Sequence, residues 1–438
     1  MPLHHYNHPL QTIVPAATVT PKAIVANAPY FLAKDMAKVY QFPTAPTASA
    51  TAPVVVGVIS LGGGLFGNWT TLASTTINRK TVPTLLVNSK TDTTNDTVKY
   101  VTDQGLSNQP TILVKLIDGT NNSPTTNTRI DGGATYENSL DVQSIVSNCN
   151  SPNLVVIMYL APNTDQGFIN AFTAATTAGG AITLPARTIS SSQTISVTVR
   201  PSVVSCSWGL GENLWSSTTR TTVNTLFANA VTAGINICCS SGDNGSTDGE
   251  GGSASHVDFP ASSPNVVACG GTNLICARPG LTYAAAGTSE VVWGYSNSNG
   301  TGGGVSAVFA LPSYQNVISP APAMRAVPDI AMNADPNTGV VFRIKGNYYA
   351  FGGTSVVAPT MAAYIATLSS PGFVNMKLYP LIAGANAPAY ANYKASFHDI
   401  TSGNNGAYAA GAGYDECTGL GSLIGTGLVT TAPFVRRA

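Results

Sequence analysis

The feature that most constrains this chain is a series of short, β-branched apolar runs separated by stretches with helical patterning. Val54-Val55-Val56-Gly57-Val58-Ile59, Thr84-Leu85-Leu86-Val87, Thr111-Ile112-Leu113-Val114 and Leu154-Val155-Val156-Ile157 are apolar on both alternating faces. Strands of that kind belong in a sheet covered on both sides. Pro83 stands just before the second run, where a strand's first position tolerates the missing N–H. Ser202–Ser207 and Ala233–Cys238 read as two more strands. Between the runs, Leu140, Ile145 and Val146 place an apolar stripe on a helix over Tyr136–Val146, and Val223–Val231 reads as another helix. A shorter helix-like segment covers Tyr30–Tyr40, followed by a Pro/Ala/Thr linker over Phe42–Pro53. Strand–helix–strand alternation implies an α/β fold with a mostly parallel central sheet between helical layers. No internal repeat divides the chain, so the economical reading is one large domain over residues 21–438 behind a tail, residues 1–20.

Composition narrows the function classes. Charged residues are only 9% of the 438, against roughly 25% in ordinary soluble domains. The surface is therefore built largely from Ser, Thr, Asn, Gln and Gly, and gains little self-repulsion as pH falls. Twenty basic residues balance twenty acidic ones with no basic stripe, which argues against nucleic acid as a partner. No run of eighteen apolar residues exists, so no membrane-spanning helix is expected. Met1-Pro2-Leu3-His4-His5 lacks the basic-then-apolar pattern of a secretory signal, and the compartment is left unassigned. The seven cysteines show no C-x-x-C spacing and read mostly as small buried hydrophobes. The five histidines are not spaced as zinc ligands beside them.

Gly62-Gly63-Gly64-Leu65-Phe66-Gly67 matches G-x-G-x-x-G after a strand. A dinucleotide site needs a helix opening at once and an acid about twenty residues on. Asn68-Trp69-Thr70-Thr71 follows instead, and the next acid is Asp92. A glycine-rich turn is the better reading, and a nucleotide-dependent oxidoreductase is not expected.

Gly352-Gly353-Thr354-Ser355-Val356-Val357-Ala358-Pro359 precedes a run of small and apolar residues. The glycines allow a sharp turn and close backbone approach, and Pro359, best tolerated in a helix's first turn, sets the helix start near Ser355. A hydroxyl there meets converging backbone N–H groups. On this motif alone, a nucleophile and a helix-capping serine are equally supported. A serine nucleophile needs a base. Three of the five histidines fall in the tail, and neither His256 nor His398 opens a glycine-rich helix. Glu137 and Asp141, four apart on the Tyr136–Val146 helix, put two carboxylates on one face. Close carboxylates share a proton and one pKa rises, so such a Glu can take a proton from a serine in acid. The alternative is an exposed helix carrying two unrelated acids. Ser240-Ser241-Gly242-Asp243-Asn244-Gly245 directly follows a strand, where α/β sheets bind ligands. Asp243 there is either an oxyanion donor or a plain turn residue.

Taken together, the motifs resemble the sedolisin, or serine-carboxyl peptidase, family, and kumamolisin-like members in particular. The resemblance rests on Tyr136-Glu137-Asn138-Ser139-Leu140-Asp141, Ser205-Cys206-Ser207-Trp208-Gly209, Ser241-Gly242-Asp243 and Val257-Asp258-Phe259-Pro260-Ala261-Ser262-Ser263-Pro264. It continues through Gly302-Gly303-Gly304-Val305-Ser306, Val327-Pro328-Asp329-Ile330 and Gly353-Thr354-Ser355, from about Thr20 to Leu428. It implies a subtilisin-like three-layer fold and peptidase activity on polypeptides in acid. It also implies Ser355 as nucleophile, Glu137 as base, Asp141 orienting it, and Asp243 as oxyanion donor. Phe397–Gly403 and Gly411–Asp415 resemble the family's calcium loop, which implies Ca2+ held by the carboxylates of Asp399 and Asp415 and the carbonyls of Ile400, Gly411 and Gly413. Many relatives carry Glu before the Leu-Gly-Gly-Gly turn, where this chain has Ser60, so a shorter acid relay toward Trp208 is expected. Relatives are usually made with a long N-terminal pro-segment, whereas the matching region here begins near Thr20. The resemblance suggests secretion or an acidic compartment. A non-catalytic binding or structural protein on the same scaffold is the alternative.

Overall fold

The apolar runs assemble into one ten-stranded sheet. In this computed structural model the described residues are 11–13, 29–44, 47–77, 80–87, 90–127, 131–190, 193–252, 254–276, 281, 283, 287–296, 299–383, 387–432 and 434–436. The sheet strands are β1 (Val54–Leu61), β2 (Trp69–Ile77), β3 (Lys80–Val87), β4 (Thr111–Leu116), β5 (Leu154–Ala161), β6 (Val203–Cys206), β7 (Asn236–Ser240), β8 (Val267–Ile275), β9 (Ser289–Val292) and β10 (Ile330–Asn333). They lie in the order β9-β8-β7-β6-β1-β5-β4-β3-β2, with β10 also paired to β8. From β4 to β8 the neighbours are parallel, as expected. At one edge β3 runs antiparallel to both β4 and β2. The link from β2 to β3 is too short for the crossover that parallel pairing needs. Strands β2, β8, β9 and β10 were not expected from the sequence.

Alternation along β1 divides the interior. Val54, Val56 and Val58 face a core shared with helices α3 (Gly132–Cys149) and α6 (Thr354–Ala366). Val55, Ile59 and Leu61 face the opposite core, shared with α4 (Asp165–Thr176) and α5 (Ser217–Thr232). The short helices α1 (Ala33–Val39) and α2 (Asp96–Asp103) lie against α3 on the first side. The result is helix–sheet–helix, the three layers expected. Side-chain caps begin several helices: Asn95 accepts from the Thr97 and Val98 amides, Thr164 from Gly167, and Ser216 from Thr219.

Several sequence-based boundaries shift. The Tyr136–Val146 helix extends to Gly132–Cys149 and the Val223–Val231 helix to Ser217–Thr232, the Ala233–Cys238 strand moves to Asn236–Ser240, and Pro83, expected just before its strand, lies within Lys80–Val87. Within the tail, Gln11–Ile13 pair antiparallel with Tyr349–Phe351; the rest of residues 1–20 lies outside the described residues. Six of the seven cysteines are buried and serve as apolar filling. Among the described residues, no helix is long and apolar enough to cross a membrane.

Candidate active site

Helix α3 was expected to show one apolar stripe; it is instead buried on nearly every side, against the sheet, α6 beside it, and α1 and α2. Glu137 and Asp141 are consequently fully buried. Burial raises the pKa of both well above the ordinary carboxylate range, and repulsion from Asp141 and then Asp243 pushes Glu137 further. Hydroxyls of Ser355 and Ser207 lie close enough to Glu137 to favour its ionised form in part. Neither Glu137 oxygen makes a hydrogen bond of regular geometry, so the approach is loose.

Ser355 is the second residue of α6 and is fully buried. The helix N-terminus provides unshared N–H groups and the positive end of the helix dipole. Gly353, immediately before the helix, has φ +104°, a conformation that side-chain-bearing residues rarely adopt. Pro359 departs from expectation. It is the sixth helical residue rather than a first-turn one, so its missing N–H removes a true intrahelical bond, the one that Ser355's carbonyl would accept. Ser207 supplies a substitute: its Oγ lies 3.3 Å from that carbonyl oxygen. The same hydroxyl donates to Asp141 Oδ1 at 2.7 Å.

Asp243 follows β7, after Gly242 at φ +100°. Its Oδ1 accepts from the Thr354 amide at 2.7 Å and from the Thr354 hydroxyl at 2.9 Å. Its Oδ2 points at Gly353, where an added Cβ would sit only 2.6 Å away. Burial lifts the Asp243 pKa to about 6 against the opposing pull of the Thr354 bonds. The middle of α3, the start of α6 and the loop after β7 thus bring Glu137, Asp141, Ser355 and Asp243 to one place, from three separate stretches of chain. His256 is paired with Glu250 at 3.8 Å and His398 stacks on Tyr283, so both histidines are engaged elsewhere.

Asp243 lines a cavity of about 200 Å³ together with Ser207, Gly209, Asp248, Glu250, Asp258 and Thr354. Asp248 and Asp258 are pushed toward the protonated form, first by burial and then by neighbouring acids. Sequence reasoning missed Ser207 and Thr354 as members of the site. Both stood inside quoted motifs, but nothing local distinguishes a bonded serine from a solvated one.

Gly62–Gly64 form a turn with positive φ that leads into β2 rather than a helix, in keeping with the non-nucleotide reading. Near the C-terminus, the Gly413 amide donates to Asp399 Oδ1 at 3.0 Å, and Tyr393 Oη donates to Asp399 Oδ1 at 3.0 Å and reaches the Gly413 carbonyl oxygen at 3.2 Å. Asp415 accepts from the amides of Gly411, Cys417 and Thr418. These contacts join Asp399 to Gly413 and Asp415 to Gly411 in one loop cluster. No group of three or more His, Cys, Asp or Glu side chains placed to hold a metal ion occurs among the described residues.

Residues 169–379 match the model of the Subtilase family, a span that includes Asp243 and Ser355 and begins after Glu137. The chain is 36% identical over 409 residues to kumamolisin of Bacillus sp. (strain MN-32), covering 90% of this chain and 62% of that protein. It is 38% identical over 212 residues to sedolisin of Pseudomonas sp. (strain 101), covering 45% of this chain and 35% of that one. It therefore spans less than two thirds of the length of these curated relatives. Among solved structures, Pseudomonas sedolisin, a serine-carboxyl proteinase complexed with two molecules of pseudo-iodotyrostatin, aligns over 92% of this chain and 98% of its own, with TM-score 0.69 and 27% identity. In sequence and in fold, across about nine tenths of its length in each case, this chain is similar to members of the sedolisin family.

Proposed function

We propose that the protein is a serine-carboxyl peptidase that cuts polypeptides in acid through an acyl-enzyme on Ser355. The observation that carries this reading is the buried carboxyl pair set against the Ser355 hydroxyl, with Asp243 held across from it by Thr354. In this scheme Glu137 takes the Ser355 proton as Oγ attacks the peptide carbonyl. Asp243, protonated below about pH 6, donates from its free oxygen to the developing oxyanion. Glu137 then returns the proton to the departing amine as the C–N bond breaks. Water attacks the ester with Glu137 again as base, and Ser355 recovers its proton as the acid product leaves. Imidazole would already be protonated in that pH range, whereas two close carboxyls that share one proton leave a base available there. The cavity beside Asp243 receives one substrate side chain.

The test is incubation of the full chain with an unfolded polypeptide at roughly pH 3–5. Fragments are expected from the unaltered chain and none from Ser355→Ala; Glu137→Gln is expected to lose about 10²–10⁴-fold in rate. Turnover by Ser355→Ala would reject the mechanism. A folded, unaltered chain that cuts nothing would favour a binding role on this scaffold.

We also propose that the Asp399–Asp415 cluster holds Ca2+, through both carboxylates and the carbonyls of Ile400, Gly411 and Gly413. The donor set suits a hard cation, which takes six or more oxygens, and the hydrogen bonds across the loop keep two carboxylates within one small region. Bound calcium would supply loop rigidity rather than chemistry. The melting temperature is expected to rise with added Ca2+ and fall with a chelator, and Asp399→Ala should remove the response.

A further inference from the structure

The Ser207 hydroxyl stands where the nucleophile's turn meets the carboxyl pair. It is 2.7 Å from Asp141 Oδ1 and 3.3 Å from the Ser355 carbonyl oxygen. A hydroxyl has one proton to donate, so these two acceptors compete for it. The carbonyl calls on an outside donor because Pro359, four residues on, has no N–H and crowds that oxygen. The position of Ser207 is set by the sheet. It directly follows Cys206, which is in register with Ile59 of β1 on one side and Cys239 of β7 on the other. Ser207 is itself fully buried, on the wall of the cavity beside Asp243.

We propose, on the footing of the peptidase reading, that Ser207 is a positioning residue that ties the Glu137–Asp141 pair to the Ser355 turn. With Asp141 ionised, its O–H holds that carboxylate; with Asp141 protonated, the O–H is released to the Ser355 carbonyl. The hydroxyl thereby couples the location of the pair's proton to how firmly the nucleophile's peptide is clamped. Both carboxyl groups receive a counteracting downward pull from this serine. Of the charged groups on packed elements, Asp243 bears on Glu137 from the loop after β7, and Asp248 and Asp258 interact with Asp243 in turn.

The test compares kcat, KM and the pH profile of the unaltered full chain, Ser207→Ala, Ser207→Thr and the double variant Ser207→Ala/Pro359→Ala on a quenched peptide. Ser207→Ala should lower kcat about 10- to 100-fold, the span expected for one hydrogen bond to a charged group, with little change in KM. The acid limb of kcat/KM should move to higher pH by about one unit, because the ionised base loses a donor. Ser207→Thr, which keeps the hydroxyl, should restore most of kcat and the original limb. Adding Pro359→Ala gives the Ser355 carbonyl a helical N–H again, and should recover part of kcat while leaving the limb displaced. If Ser207→Ala does not fold, Ser207→Cys, with its weaker donor, is expected to move both readouts the same way by less. An unmoved acid limb, or equal loss in Ser207→Ala and Ser207→Thr, overturns the proposal while Ser355→Ala inactivity leaves the peptidase reading standing. No cleavage by the unaltered chain overturns both.

Discussion

Around Ser355 three carboxyl groups are each pushed toward their protonated form, chiefly by burial. That direction fixes how stability responds to pH. A carboxyl whose folded pKa exceeds its unfolded value binds its proton more tightly when folded, so its contribution is complete in acid and lost as pH rises. For Asp243 the window runs from the ordinary value of 3.8 to about 6, and Glu137 and Asp141 extend the loss in the same direction. The melting temperature is therefore expected to be higher near pH 4 than near pH 6, with a shallower slope for Asp243→Asn. Calorimetric scans across that interval check it, and a melting temperature that climbs with pH would contradict the assignment. At this scale much was legible: Glu137 and Asp141 by their i, i+4 spacing, Asp243 by following a strand, Ser355 by its glycine turn. Ser207 was not, because its role depends on residues 66 positions upstream and 148 downstream.

Helix α6 and its preceding turn decide how the nucleophile is presented. Gly353 combines φ +104° with a side-chain direction blocked by Asp243 Oδ2 at 2.6 Å. Gly353→Ala must therefore strain the backbone and displace the proposed oxyanion donor together. The expected cost is roughly 1–3 kcal/mol in stability, read from denaturant midpoints, with a larger relative loss of kcat than the stability change alone would cause. Unaltered kcat in a folded Gly353→Ala protein would show that Asp243 is not held where the geometry places it. Helix α3 carries the complementary lesson. Its sequence, with Glu137, Asn138, Ser139, Asp141, Gln143 and Ser144, reads as half polar, yet all six are buried. Some of them find partners outside the helix: Asn138 donates to the Gly62 carbonyl, and Gln143 bonds the backbone of Arg343 in both directions. Local patterning has no means of announcing such partners.

Across the whole molecule, the far end of the sheet is tied by a buried ion pair. Arg325 donates to both carboxylate oxygens of Asp329 at 2.6 Å, and Tyr379, Asn375 and the Ala268 amide complete the acid's hydrogen bonds. Both side chains are wholly inaccessible. Removing one partner strands the other's charge, so Asp329→Ala should cost about 3–5 kcal/mol, measurable as a fall in the urea midpoint; a change under about 1 kcal/mol, the scale of an exposed pair, would mean the charges are not buried together in solution. The sequence by itself determined β1 and β3–β7 with their burial, the three-layer α/β class, the glycine turns and the residue types gathered at the site, since all of these are written in periodicities of two and 3.6 and in the steric demands of single residues. Only the tertiary structure decided that β1 lies between β5 and β6, that the β2–β3 hairpin turns antiparallel, and that Ser207 reaches both Asp141 and the carbonyl left open by Pro359. Burial of apolar surface is non-directional: it says that a face must be covered, while which neighbour covers it depends on how all the layers fit at once.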